Sequence, residues 1–235
     1  MTQLYRLHYA PDNASLVIRL VLEELGVPYE TLLLDRKTRA HKAPAYLAVN
    51  PNGLIPALET PDGPIFETAA ILLWLADRHG KLAPAPESAN RGAFLKWLFF
   101  ASNGLHVSLR ARFYPEQYVG QDATAHAALR AHLRGEVLRQ TGLLEAEAAE
   151  RPDWLGGPAP SVLDFYLACL FRWAQIYPAD EAERWFQLEN WPHLHAMASR
   201  LERCESTRAA IDAEGLGEHP FTAPEHPNPP EGSAT

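Results

Sequence analysis

The 235-residue sequence predicts an α/β domain followed by an all-helical domain, and three observations carry that reading. Strand-like and helix-like segments alternate over residues 1–80. A stretch containing proline and alanine, Gly80-Lys81-Leu82-Ala83-Pro84-Ala85-Pro86, then interrupts the pattern as a linker would. From about Glu87 to Ile211 the periodicity is helical throughout.

In the first region, Leu4–His8 alternates as a short strand, and Pro11-Asp12-Asn13 is turn chemistry. Leu16, Val17, Leu20, Val21 and Leu25 recur at helical spacing, and Gly26 stops that helix at the C′ position. Tyr29–Leu34 reads as a second strand, so the β-α-β order implies a right-handed crossover and parallel pairing. Leu54–Glu59 and Pro64–Phe66 are short strands around the turn Pro61-Asp62-Gly63. Thr68–His79 is a helix with Ile71, Leu72 and Leu75 on one face. The summed order is that of a thioredoxin-like fold.

The predicted organisation is an α/β domain over 1–80, a linker over 81–86, a helical domain over 87–213 and a tail over 214–235. Helices are expected over Phe94–His106, Asp122–Arg151, Ser161–Gln175, Trp191–Arg203 and Ser206–Ala213. Ser161–Gln175 is almost wholly apolar, which marks a central buried helix. Ser161-Val162-Leu163-Asp164 ahead of it has the spacing of a capping box, with Asp in place of Glu. The tail carries four acids, no Lys or Arg, and no periodicity, as a disordered or surface-wrapping segment would.

Composition excludes several function classes. The net charge is −8 and no basic run of five or more occurs, so no nucleic-acid partner is expected. No apolar run approaches the length of a membrane span. The N-terminal residues lack the basic-then-apolar pattern of a secretory signal, and a cytoplasmic location is the expectation. Cys169 and Cys204 each lie in an apolar helical context, as buried thiols rather than disulfide partners or metal ligands. Neither a dinucleotide, a phosphate-loop nor a zinc-protease motif is present.

Two segments carry candidate chemistry. In Asn50-Pro51-Asn52-Gly53-Leu54-Ile55-Pro56-Ala57-Leu58 a turn leads into a strand that begins with proline. A cis Ile55–Pro56 bond would leave the amide and carbonyl of Ile55 free to pair with another extended backbone, such as a tripeptide. An ordinary turn before an edge strand is the alternative. In Phe66-Glu67-Thr68-Ala69, Thr68 stands at a helix start, where free N–H groups and the helix dipole suit an α-carboxylate. Glu67 beside it can take an α-ammonium, so the pair suits an amino-acid zwitterion; a plain N-cap is the alternative. One hairpin separates Pro56 from Glu67, which puts both at one end of the sheet.

These motifs, with Tyr9–Glu30, Tyr46–Leu58 and Glu67–Asp77 in register, resemble the N-terminal domain of cytosolic glutathione transferases, and Ser161–Asp164 resembles the family's N-capping motif in the helical domain. The resemblance implies glutathione as co-substrate, a small hydrophobic electrophile as second substrate, no metal, and a homodimer. It places Glu67 and Thr68 on the γ-glutamyl group, Ile55 and the cis Pro56 on the cysteinyl part, and Asn52 and Lys42 near the glycyl carboxylate. An ordinary solvated lysine is an equal reading of Lys42. His106, Arg110, Phe113 and Tyr114 would line the second-substrate pocket, with core packing and solvated arginines as the alternative.

Thiol activation needs a hydrogen-bond donor or a cysteine near the first helix start. The stretch Ala10-Pro11-Asp12-Asn13-Ala14-Ser15-Leu16 resembles the bacterial cysteine-type pattern, with Ala14 at the cysteine position. Ser15 ranks first as the remaining donor, then Asn13, then Tyr9 at the strand end. Two further readings keep the same site: a glutathione-dependent disulfide or peroxide reductase, and a non-catalytic binding module.

Overall fold

A computed structural model of the chain describes residues 4–179 and 184–234. Residues 1–3 of the expected first domain and Thr235 of the expected tail lie outside the described residues. Four strands, β1 (Tyr5–Tyr9), β2 (Tyr29–Leu33), β3 (Ala57–Thr60) and β4 (Gly63–Phe66), form one sheet in the order β2-β1-β3-β4. Strands β1 and β2 pair in parallel through the crossover helix α1 (Ser15–Leu25), and β3 runs antiparallel to both β1 and β4. Gly26 ends α1 in the left-handed conformation, with φ 66°, that a C′ glycine adopts without cost. Strand β3 begins three residues later than Leu54, because the Leu54 carbonyl is taken by Asn50 Nδ2 at 2.8 Å and the Tyr46 hydroxyl at 2.5 Å. Tyr46 lies on the single-turn helix α2 (Pro44–Leu47), and α3 (Thr68–His79) follows β4.

The second region contains α4 (Arg91–Phe100), a π-helical segment over Ala101–His106, α5 (Val107–Phe113), α6 (Glu116–Val119), α7 (Ala123–Ala149), α8 (Val162–Ile176), α9 (Pro192–Leu201) and α10 (Glu205–Glu214). The helical path from Arg91 runs on past His106 to Phe113, and Ser108 and Arg112 beyond His106 are accommodated inside. Arg112 is buried, lies 4.2 Å from the Trp185 ring centroid and donates to the Arg130 carbonyl at 2.7 Å.

Helix α8 is the central buried helix, and its start is capped as its sequence requires. Ser161 Oγ accepts from Asp164 N–H at 3.1 Å while Asp164 Oδ2 accepts from Ser161 N–H at 2.9 Å. Helix α1 is buried on nearly every face because it is sandwiched between the sheet and helices α8 and α10. A single apolar core therefore runs from Leu7 and Leu58 of the sheet, through Leu16 and Leu20, to Phe165 and Leu167 of α8. The α/β and helical regions consequently share one apolar core, and Asp12 of the β1–α1 loop is buried between them.

Among the described residues, the tail beyond α10 has no regular secondary structure but is packed. Phe221 is fully buried, and Glu202 accepts from the N–H groups of Phe221 (2.9 Å) and Thr222 (2.8 Å). The chain then turns back along Gly215, whose carbonyl accepts from Asn228 N–H at 2.8 Å, and reaches the first domain.

Candidate active site

The C-terminal end of β1 delivers the chain into the loop Ala10–Ala14, which ends where α1 begins. Asp12 adopts φ 45°, a left-handed conformation that costs an L-residue about 1–2 kcal/mol. Such a residue persists only where its surroundings over-determine it. Its carboxylate accepts four hydrogen bonds from the helical domain. Arg172 Nε (2.8 Å) and Trp173 Nε1 (2.8 Å) donate to Oδ1, and Arg172 Nη2 (3.1 Å) and the Tyr177 hydroxyl (3.1 Å) donate to Oδ2.

The three sequence candidates for thiol activation are placed differently. Ser15 is wholly buried, donates its proton to the Ala10 carbonyl at 3.0 Å and accepts from Ala10 N–H at 3.3 Å. Its hydroxyl closes the loop rather than capping α1, whose N-cap is Ala14. The Tyr9 phenol donates to the Glu231 carboxylate of the tail. Burial, and then that hydrogen bond, raise its pKa well above the usual phenol value. Asn13 is half-buried; its Oδ1 accepts from Ala14 N–H at 2.8 Å, and its Nδ2 donors enter no hydrogen bond among the described residues.

Opposite the loop lies the end of the sheet. The Ile55–Pro56 bond is cis, and the Ile55 backbone enters none of the turn and loop hydrogen bonds among the described residues. Asn50 Oδ1 accepts from Asn52 N–H at 3.0 Å, which shapes the turn and leaves the Asn52 side chain at the surface. Gly53 has φ 56°, and a Cβ there would stand 2.8 Å from the His41 carbonyl, so only glycine fits. Lys42 is drawn into the same turn, because its Nζ donates to the carbonyls of Gly53 (2.9 Å) and Asn52 (3.3 Å).

Glu67 precedes α3 with φ 74° and ψ 115°, another left-sided conformation for an L-residue. Its side chain is exposed and makes no cap to the helix, and Thr68 behind it is buried. The first-turn N–H groups of α3 are therefore not satisfied by a capping side chain, beside an exposed carboxylate. That arrangement offers separate partners to the carboxylate and the ammonium of one zwitterion.

From the helical side, the π-helical segment ends at His106. An extra residue in the turn re-aims the side chains that follow it. His106 Nδ1 pairs with the Tyr166 hydroxyl at 2.7 Å, and its ring lies 6.0 Å from that of Trp173. Burial, with Arg110 adding to it, pushes the His106 pKa down to about 4, so the ring is neutral at pH 7. Burial raises the Tyr166 phenol, opposed by the Ser102 hydroxyl and reinforced by the charge of Glu67. Phe113 and Tyr114 close the same side. Phe113 lies 5.9 Å from the Tyr177 ring, and the Tyr114 hydroxyl accepts from Arg36 Nη2 at 3.1 Å. Arg110 turns instead towards the following helix α6, to the Tyr118 hydroxyl at 2.6 Å and Gln117 Oε1 at 2.7 Å.

Comparisons with known proteins show the family. Residues 3–77 match the glutathione S-transferase N-terminal domain family, and residues 127–196 match the glutathione S-transferase C-terminal domain family. The solved structure of a sphingomonad glutathione S-transferase complexed with glutathione is 30% identical, with a TM-score of 0.72, and the match covers 90% of this chain and 100% of that one. The chain belongs to the glutathione S-transferase family. Within this family it is 29% identical to glutathione S-transferase GstA of Escherichia coli O157:H7, over 90% of this chain and 99% of that protein. It is also 33% identical over 154 residues to the transcriptional regulator URE2 of Saccharomyces cerevisiae, across 62% of this chain and 42% of that protein.

Three features of this transferase fold escape sequence reasoning. Arg172 sits inside the apolar helix Ser161–Gln175, where a lone charge in an apolar run is the available signal that a buried partner exists. Arg36 bridges Tyr114 to the Ala234 carbonyl at 2.9 Å, a contact between segments 198 residues apart. Tyr166 next to His106 reads from the sequence only as one more core aromatic.

Proposed function

We propose that this chain is a glutathione transferase that binds glutathione in the cleft between sheet end and helical domain and activates its thiol with Asn13 and the α1 N-terminus. Glutathione supplies the nucleophile as a thiolate; the chain's residues bind it, orient it and favour its ionised form. Glu67 and the α3 amides receive the γ-glutamyl end, the Ile55 backbone pairs with the cysteinyl part, and Asn52 faces the glycyl end. His106, Phe113 and Tyr114 line the side from which a small hydrophobic electrophile approaches.

The observation that carries this reading is the state of the three donors. The Ser15 and Tyr9 hydroxyls are committed as hydrogen-bond donors to Ala10 and Glu231, whereas the Asn13 amide, in the loop between them, has N–H donors that enter no hydrogen bond among the described residues. In this reading Asn13, second in the order expected from sequence, comes ahead of Ser15 and Tyr9. In this reading, as the family resemblance implies, the protein acts as a two-fold dimer in the cytoplasm.

The test is conjugation of a halo-nitroarene with glutathione. Asn13→Ala is expected to lower kcat by roughly tenfold or more, as loss of a donor to a developing or resident anion does. Ser15→Ala is expected to lower kcat less. Turnover by the wild type with no loss in Asn13→Ala refutes the assignment. Glutathione binding without turnover on any electrophile favours a binding module, a reading that the likeness to a transcriptional regulator and Ala14 at the cysteine position both support. Disulfide or peroxide turnover without conjugation favours a reductase.

A further inference from the structure

The Arg172 guanidinium has five N–H donors, and all five are used. Nε and one Nη2 donor go to the Asp12 carboxylate. The other three go to backbone carbonyls of the tail: Nη1 to Leu216 (3.3 Å) and Pro220 (3.0 Å), and Nη2 to Glu225 (3.0 Å). Asp12 is equally saturated. Its carboxylate accepts four hydrogen bonds, from Arg172, Trp173 and Tyr177, and its N–H donates to Glu214 Oε2 at 2.8 Å. Both side chains of the ion pair are completely buried.

This closed network joins three parts of the chain that sequence keeps apart. They are the β1–α1 loop, the central helix and the tail. Neither family domain matched by the sequence, at residues 3–77 and 127–196, includes the tail. A fork that served only to bury α8 would not need to meet Asp12, and Asp12 would not need its left-handed backbone. Asn13, the donor in the proposed activation of the thiol, is the next residue. Where Asp12 is held decides where the Asn13 amide points.

We infer that Arg172 is a positioning residue for the thiol site: held by the tail carbonyls, it fixes Asp12, and through Asp12 the loop that presents Asn13 to the sulfur of glutathione. The inference rests on the reading of the cleft as a glutathione site. The paired charges matter as well as the geometry. A carboxylate left alone at the start of α1 would oppose a thiolate nearby, and the guanidinium cancels it.

The test uses two variants of the full chain, neither of which leaves a lone buried charge. Tyr177→Phe removes one hydrogen bond to Asp12 and keeps the ring. The double variant Asp12→Asn with Arg172→Met removes both charges together, the form in which a buried pair is replaced with least damage. The readouts are glutathione affinity by calorimetry, the ultraviolet thiolate absorbance of bound glutathione at pH 7, and the separate kcat and KM of conjugation. The expected result is a glutathione Kd within about threefold of wild type in both variants, with kcat and thiolate absorbance falling together. The fall is roughly threefold in Tyr177→Phe and tenfold or more in the double variant, as misplacement by a fraction of an ångström produces. A merely structural pair would lower the melting temperature and leave kcat and thiolate absorbance at wild-type values. That result in either folded variant overturns the inference. Failure of the wild-type chain to bind glutathione at all overturns the site reading, and this inference with it.

Discussion

Tyr9, the last residue of β1, donates its phenolic proton to Glu231, 222 positions further along the chain. Gly232 beside Glu231 lies against Leu33 and Pro11, and Arg36 holds the Ala234 carbonyl at 2.9 Å. The end of the tail is thus secured to the first domain by the strand end, the β1–α1 loop and the residues after β2. Tyr9→Phe removes the phenol's hydrogen bond and is expected to lower stability by about 1 kcal/mol. The same variant should lose residues 229–235 faster to carboxypeptidase, followed by mass spectrometry.

Ser15 is expected to matter more to stability than to chemistry. Its hydroxyl both donates to and accepts from Ala10, and both residues are fully buried, so Ser15→Ala leaves a buried carbonyl and a buried N–H short of a partner. The expected loss is about 1–3 kcal/mol in urea unfolding.

The buried pair predicts a non-additive cycle. Arg172→Met alone strands the Asp12 carboxylate and is expected to cost about 3–5 kcal/mol. Asp12→Asn combined with Arg172→Met should cost much less than the sum of the two single changes. A double-mutant cycle by denaturant unfolding measures the difference.

His106 gives the chain a pH dependence with a definite sign. Its pKa in the folded protein is about 4, against an ordinary 6.5. Between those values the unfolded chain binds a proton at His106 that the folded chain refuses. The contribution of this site is therefore complete above pH 6.5 and is lost as the pH falls towards 4. The urea midpoint of the wild type should drop more steeply from pH 7 to pH 5 than that of His106→Gln. Asp164 and Glu214, whose pKa values burial raises to about 6 and about 7, act in the opposite direction in both proteins and cancel in the comparison.

Much of the fold is legible in sequence because it is decided locally. Thr68–His79 ends on Gly80 in the left-handed conformation, α1 ends on Gly26, and the Ser161–Asp164 box opens α8; each is set by residues within one turn. The local frame of the candidate residues is legible for the same reason, since the cis Ile55–Pro56 bond directly precedes β3 and Glu67 and Thr68 stand at the start of α3. The commitments of individual donors are not. Ser15 and Asn13 are equivalent as polar residues near a helix start, and only the turn of the loop decides which one is consumed. Asp12 meets Arg172 across 160 positions, and no local pattern encodes such a contact. The conformation of Glu67 is likewise hidden, because nothing in Phe66-Glu67-Thr68 calls for a positive φ.

The central claim is that glutathione binds at the sheet end, with its zwitterion on Glu67 and the α3 N-terminus. Calorimetric titration of glutathione into the wild type and into Glu67→Ala tests it most directly. The account predicts one glutathione per chain in the wild type and an affinity at least roughly tenfold weaker in the variant, as loss of a charged hydrogen-bond partner produces. Equal affinity in the two proteins, or no binding by the wild type, would contradict it.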